Sequence, residues 1–191
     1  MRDKSATIRE GLRSILVFIG AIWAVFLLSL ALPALTAHGV VPRTLIGLVG
    51  VPAMPFLHAN WQHLLSNTVP LFVLLSLLAG SRANSWVVVI TVALAGGILL
   101  WCFGRPAVHI GASGLVFGLA VFLIVAGLRE RRFVSLVVAV MVGLLYGGTL
   151  LWGVLPQFGS QVSWDGHLFG AVAGGLVAVG FVRSPRAAQT S

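Results

Sequence analysis

Residues 113–132 read SGLVFGLAVFLIVAGLRERR: sixteen positions without a charge, then four charged residues in succession. A helix on the surface of a soluble protein shows an apolar stripe and a polar face. This run is apolar all round, and its charges begin only where it ends. A membrane crossing has that form, because roughly 30 Å of hydrocarbon is spanned by about 20 mostly apolar residues rising about 1.5 Å each. Five further runs follow the same pattern, so the predicted crossings are about Ile15–Leu32, His63–Ala79, Ser85–Phe103, Ser113–Leu128, Phe133–Leu155 and Gly166–Val182. The first is too long for a cleavable signal peptide, and the leader before it, with Asp3 and Glu10, is unlike a mitochondrial presequence.

Composition agrees. Of 191 residues, 59% are hydrophobic and only 8% charged, against about 25% in an ordinary soluble domain. So few charges cannot cover a water-soluble surface, which excludes a soluble enzyme, a disordered tail and a nucleic-acid-binding domain. The expected fold is an all-α membrane protein, a bundle of six transmembrane helices. Residues 1–14 are read as a cytoplasmic N-terminal segment, 15–183 as the membrane domain and 184–191 as a cytoplasmic tail. The single Cys102 forms no disulfide framework within the chain, and no Cys/His cluster suggests a metal.

The basic residues orient the bundle. Arg2, Lys4, Arg9 and Arg13 precede the first crossing, and Arg82 separates the second and third. Arg129, Arg131 and Arg132 separate the fourth and fifth, and Arg183 and Arg186 follow the sixth. Ten of the 12 basic residues thus share one side, with Arg43 and Arg105 opposite. The positive-inside rule makes that side cytoplasmic, with both termini inside. Trp61, Trp101, Trp152 and Trp164 fall near outer ends and Trp86 near an inner one, as in an interfacial belt, while Trp23 is read as lipid-facing or packed. The connection from Pro33 to Gln62 is apolar despite four prolines, so it is expected to lie in the interface or against the bundle.

Polar side chains at membrane depth are costly and are by default functional. Four stand out: His63 and Asn67 in the second crossing, Ser113 opening the fourth and His167 opening the sixth. Ser113 precedes Arg129 by 16 residues, His167 precedes Arg183 by 16, and His63 and Asn67 precede Arg82 by 19 and 15. Those offsets are roughly 22 to 29 Å of helix, so all four lie at similar height, just inside the outer boundary. His63 and Asn67, four apart, share a helix face. Gly166, Gly170 and Gly174, and separately Gly114 and Gly118, form small-xxx-small steps that let helices approach closely. The fourth and sixth crossings can therefore bring Ser113 to His167. A serine hydroxyl needs a base to become a nucleophile, and imidazole is the usual one. The oxyanion that follows needs fixed donors, for which the Ser113 backbone N–H, His63 and Asn67 are the candidates. An acidic third member is not expected: Asp165 is read as a loop residue, and positions i and i+2 do not face one another. His109 is likewise read as a loop residue. The scarcity of acids argues against an aspartyl protease, and the lack of HExxH against a zinc protease.

At these residues the sequence resembles the rhomboid family of intramembrane serine proteases. His58-Ala-Asn-Trp-Gln-His63-Leu-Leu-Ser-Asn67 looks like that family's HxxxxHxxxN motif. Gly111-Ala112-Ser113-Gly114 looks like its GxSG motif, and Gly166-His167-Leu-Phe-Gly170-Ala-Val-Ala-Gly174 resembles its sixth-helix segment, with glycines three and seven residues after the histidine. The resemblance covers essentially the whole chain, as a minimal six-helix core. It implies Ser113 as nucleophile, His167 as base, His63 and Asn67 as oxyanion donors and His58 in support, with no cofactor and no metal. It further implies transmembrane protein substrates cut in or beside their spanning helix, in contact with membrane lipids; the depth count opens the site to the outer side, and the short chain without a targeting extension suggests a prokaryotic cell membrane. The Pro-bounded loop and the segment Gln157–Asp165 are expected gates. One departure is the loop after the first crossing, where many members carry a Trp-Arg pair and this chain has only Arg43, in Val-Pro-Arg-Thr. Two other classes are disfavoured. A client-binding relative that does not cut typically loses the serine or the histidine, and a proton-coupled carrier would need an intramembrane acid.

Overall fold

The computed structural model describes residues 4–82, 84–157 and 162–182. Arg2, Arg183, Arg186, the tail 184–191 and the middle of the expected Gln157–Asp165 gate lie outside the described residues. Among those described are seven α-helices: α1 (Lys4–Ala31), α2 (Leu45–Ala53), α3 (Trp61–Ser81), α4 (Ser85–Phe103), α5 (Ser113–Glu130), α6 (Phe133–Gly153) and α7 (Trp164–Phe181). All except α2 are long and apolar enough to cross a membrane, so the chain is a multi-pass integral membrane protein, as the sequence implies.

The boundaries differ from expectation in instructive ways. Helix α1 begins well before Ile15, because a helix entering water through Arg9, Glu10 and Arg13 has no reason to stop at the hydrocarbon edge. Helices α3 and α7 begin two residues early on side-chain caps, Asn60 accepting from the His63 N–H at 2.8 Å and Ser163 from the Gly166 N–H at 3.3 Å. Asp165 consequently lies in the first turn of α7 and not in a loop. The Pro33–Gln62 connection contains a helix, α2, which carries Pro52 within it and is extended by a 3-10 turn over Met54–Phe56. It does pack against the bundle. Gly47, Gly50, Val51, Met54 and Pro55 are buried, while Leu45, Ile46, Leu48 and Val49 face outward.

Helix α5 forms the centre. It is buried along most of its length by α3, α4, α6 and α7, whereas α6 exposes Leu144, Leu145 and Leu151. Lipid tails are as apolar as leucine, so close backbone packing has to hold such helices together. The seam between α5 and α7 shows it. A Cβ on Gly170 would overlap the Gly114 carbonyl, and one on Gly174 the Gly118 carbonyl. Beneath the seam Leu64, Leu71, Leu74, Leu78, Leu119 and Phe122 fill the interior.

Hydrogen bonds gather the basic ends at one end of the bundle. Arg82, after α3, meets Glu130, at the end of α5, at 2.7 Å. The Arg129 Nε donates to the Val182 carbonyl after α7 at 3.0 Å, and Trp86 at the start of α4 donates to Ser14 on α1 at 3.0 Å. Trp23 is packed: its Nε1 donates to Thr68 at 3.2 Å beside the Trp61 ring. Arg43, in its left-handed turn (φ 60°), donates to the Cys102 and Gly104 carbonyls at 3.3 and 2.9 Å, capping the C-terminal end of α4. The loop is thereby tied down, with Trp101 donating back to the Thr44 carbonyl at 2.8 Å.

Candidate active site

At the end of the bundle opposite the basic cluster, α5 and α7 present their first turns to each other. The α5–α7 seam sets the spacing, and the Ser113 Oγ lies 2.9 Å from the His167 Nε2. The other ring nitrogen, Nδ1, lies 2.9 Å from the Gly153 carbonyl at the end of α6. A carbonyl can only accept, so Nδ1 carries the hydrogen and a neutral ring leaves Nε2 free to accept from the serine hydroxyl. That is the tautomer a general base needs. The Phe117 ring, one turn beyond Ser113, stacks on His167 with centroids 4.2 Å apart and planes 9° apart, which removes the remaining freedom of rotation. A backbone carbonyl thus takes the orienting place that a carboxylate holds in a Ser-His-Asp triad. Sequence reading missed it, since every residue brings a carbonyl and no pattern marks which one will point at a histidine.

Ser113 opens α5 behind Ala112, which supplies no side-chain cap, so the first-turn N–H groups of the helix are not taken up by a capping side chain at that position. Gly111, just before, has φ 118°, a conformation favouring glycine, and its own N–H is spent on the Met54 carbonyl at 2.9 Å. A Cβ built on Gly111 would stand 2.5 Å from the His63 Nε2 and 3.7 Å from the Ser113 Oγ. The His63 Nε2 and the Ser113 hydroxyl thus both border Gly111. Asn67, buried one turn further down α3, donates one amide hydrogen to the His63 carbonyl at 2.8 Å.

His58 is 1% exposed, and its ring meets the His63 ring edge-on at 5.0 Å. It lies in the short loop before α3 but is buried there, on the His63 side of the candidate site. Burial first, and then the neighbouring His63, push its pKa down to about 4, with the Phe56 backbone pulling the other way. The ring is neutral at pH 7. Asp165 turns away from His167, as the i, i+2 relation requires, toward Arg105 and His109. His109 lies in the loop before α5, as read, but it is 2% exposed and bridges to Val40 through the backbone. Among the described residues no group of three or more His, Cys, Asp or Glu side chains could hold a metal.

Comparison with known proteins identifies the family. A model of the Rhomboid domain fits residues 47–184, which contain Ser113, His167, His63, Asn67 and His58. The chain belongs to the rhomboid family. This rhomboid is 43% identical over 176 residues to an uncharacterized protein of Mycobacterium tuberculosis, covering 86% of this chain and 72% of the relative. It is also 31% identical over 133 residues to a putative rhomboid protein of Acanthamoeba polyphaga mimivirus, covering 66% and 71%. A shorter match, 37% over 67 residues, links it to a chloroplastic rhomboid-like protein of Arabidopsis thaliana, covering 34% of this chain and 24% of that one.

Proposed function

We propose that this rhomboid is an intramembrane serine endopeptidase that hydrolyses peptide bonds in or next to the transmembrane segments of membrane-protein substrates, through a Ser113–His167 dyad. The observation that carries the reading is the chain Ser113 Oγ–His167 Nε2–His167 Nδ1–Gly153 O, with both contacts at 2.9 Å. As Oγ attacks the scissile carbonyl carbon, its proton passes to Nε2, and the imidazolium that forms keeps its Nδ1–H on the Gly153 carbonyl. The carbonyl oxygen becomes an oxyanion, stabilised by the Ser113 backbone N–H and by the His63 and Asn67 side chains. His167 returns the proton to the leaving amine. Water, deprotonated by the same nitrogen, then cleaves the acyl-enzyme. No cofactor takes part.

The Arg82, Arg129 and α1 basic ends are assigned to the cytoplasm, with both termini inside, by the positive-inside rule. The site then opens to the outer side of the membrane, a bacterial plasma membrane in keeping with the mycobacterial relatives. A site one turn below that boundary draws water from outside while the leucine-filled lower bundle stays dry.

The test is labelling of the purified protein in liposomes with a fluorophosphonate, alongside Ser113→Ala and His167→Ala. Wild type labels, both variants do not, and the two losses are non-additive in cleavage of a transmembrane substrate, since the residues act as one unit. Folded wild-type protein that neither labels nor cleaves overturns the reading in favour of a client-binding role.

A further inference from the structure

Beside the dyad, at the same end of the bundle, lies a second polar cluster that proton transfer does not use. Asp165 and His109 are each 2% exposed. The Asp165 carboxylate accepts from the Arg105 backbone N–H at 2.9 Å and from the Arg105 guanidinium at 3.1 and 3.3 Å. His109 Nε2 lies 3.0 Å from the Arg105 carbonyl and its Nδ1 2.7 Å from the Ser163 Oγ. The carbonyl requires a hydrogen on Nε2, so in the neutral ring the Ser163 hydroxyl donates to Nδ1. The Arg105 guanidinium also lies over the Trp164 ring, 5.1 Å from its centroid.

These contacts join two segments of chain. Arg105 and His109 belong to the loop between α4 and α5, which ends in Ser113, while Ser163, Trp164 and Asp165 form the start of α7, which carries His167. His109 stands four residues before the nucleophile and Asp165 two before the base. The glycine seam holds α5 to α7 below the dyad, but the loop above it has no helical hydrogen bonds of its own. Helix α7 needs no carboxylate to begin, because Ser163 already caps it. A buried carboxylate near the hydrocarbon is costly, and here its ligands all come from the loop or the α7 start.

We propose that Asp165 is a positioning residue: with His109, Ser163 and Arg105 it clamps the Ser113 loop onto the first turn of α7 and holds the dyad at hydrogen-bonding distance. The inference deepens the serine-protease reading and rests on it.

The experiment uses the full chain in liposomes and two independent readouts, the fluorophosphonate labelling rate with substrate kinetics, and backbone hydrogen exchange. Asp165→Ala is expected to lower kcat and the labelling rate together by about tenfold with KM within twofold, because the clamp acts on the nucleophile and not on substrate docking. Exchange should quicken in residues 104–112 and leave α3 and the lower half of α5 unchanged. Asp165→Asn, which keeps an acceptor for the Arg105 N–H, should fall between wild type and alanine. If Asp165→Ala does not fold, Asp165→Asn and Arg105→Gln carry the same comparison. Folded variants that label at the wild-type rate, or exchange that rises equally in every helix, overturn the proposal. Wild type that fails to label removes the serine reading alone; in that case exchange confined to 104–112 keeps the clamp, and unchanged exchange removes it too.

Discussion

Replacing Gly170 by alanine should inactivate this rhomboid without unfolding it. A Cβ at Gly170 would overlap the Gly114 carbonyl oxygen and stand 2.7 Å from its carbon and 2.9 Å from the Gly114 Cα. Ordinary van der Waals contact begins at 3.4 Å, so clearing the carbon alone moves α7 back from α5 by about 0.7 Å, and clearing the overlapped oxygen takes more. The obstacle is backbone, which no rotamer change can relieve. Gly114 is the neighbour of Ser113, and Gly170 lies one turn below His167. A retreat of that size carries the Ser113–His167 separation from 2.9 Å to about 3.6 Å, which is no longer a hydrogen bond. A misplacement of about 1 Å at reacting groups costs on the order of 100-fold in rate. Overpacking costs about 1–3 kcal/mol of stability, and the better helix propensity of alanine returns about 0.5–1 kcal/mol of it. The assay is cleavage of a transmembrane substrate in liposomes, with thermal unfolding of each protein in detergent. Gly175→Ala is the control, since a Cβ there meets only the Val121 Cγ1 at an ordinary 3.7 Å. Gly170→Ala retaining more than a third of wild-type kcat, or Gly175→Ala losing as much as Gly170→Ala, would refute the seam as the ruler of the dyad.

Gly111→Ala should be at least as damaging, since φ is 118° and the new methyl would meet the His63 Nε2 at 2.5 Å; the strain alone is about 1–3 kcal/mol, readable as a lower melting temperature together with lost cleavage. On the proposed mechanism, Asn67→Ala should lower kcat by about 10²-fold with little change in KM, the cost of removing one oxyanion donor, and steady-state kinetics separate the two constants. His58 gives a pH dependence of stability. Its folded pKa of about 4 lies below the ordinary 6.5, so the unfolded chain binds more protons and stability falls as pH drops from about 6.5 toward 4. The loss reaches about 3 kcal/mol below pH 4 if the whole shift is expressed. Neither His58 ring nitrogen has a well-placed hydrogen-bond partner, so His58→Phe should fold and show a flatter dependence of melting temperature on pH between 4 and 7; equal slopes in the two proteins would exclude His58 as the source.

How far the chain could be read in advance follows from which properties are local. Hydropathy is local: a run such as 113–128 must cross a membrane whatever its neighbours do, so six crossings and the height of Ser113, His167, His63 and Asn67 could be counted from the charges. Glycine spacing also announced that α5 and α7 meet, because helices whose facing positions lack side chains can approach to backbone contact. Helix starts were legible only to within a turn, since Asn60 and Ser163 could equally have been loop polar residues. Helix α2 escaped notice because its prolines read as breaks. In the structure Pro52 comes near the helix end, and Gly47 and Gly50 let the segment lie against the 39–41 backbone.

What the tertiary structure alone decided is which groups of opposite polarity meet. Every residue carries a carbonyl, and only the closure of α6 against α7 selects that of Gly153 to fix the His167 tautomer. His109 and Asp165 looked like two unrelated loop residues 56 positions apart. They become one buried cluster because the Ser113 loop and the start of α7 are folded onto each other, and an ion or hydrogen bond in a dry site has value only when both partners arrive. Crossing a bilayer is a property of a segment, and the sequence determined it alone; activating a serine depends on tenths of an ångström between segments, which packing alone sets.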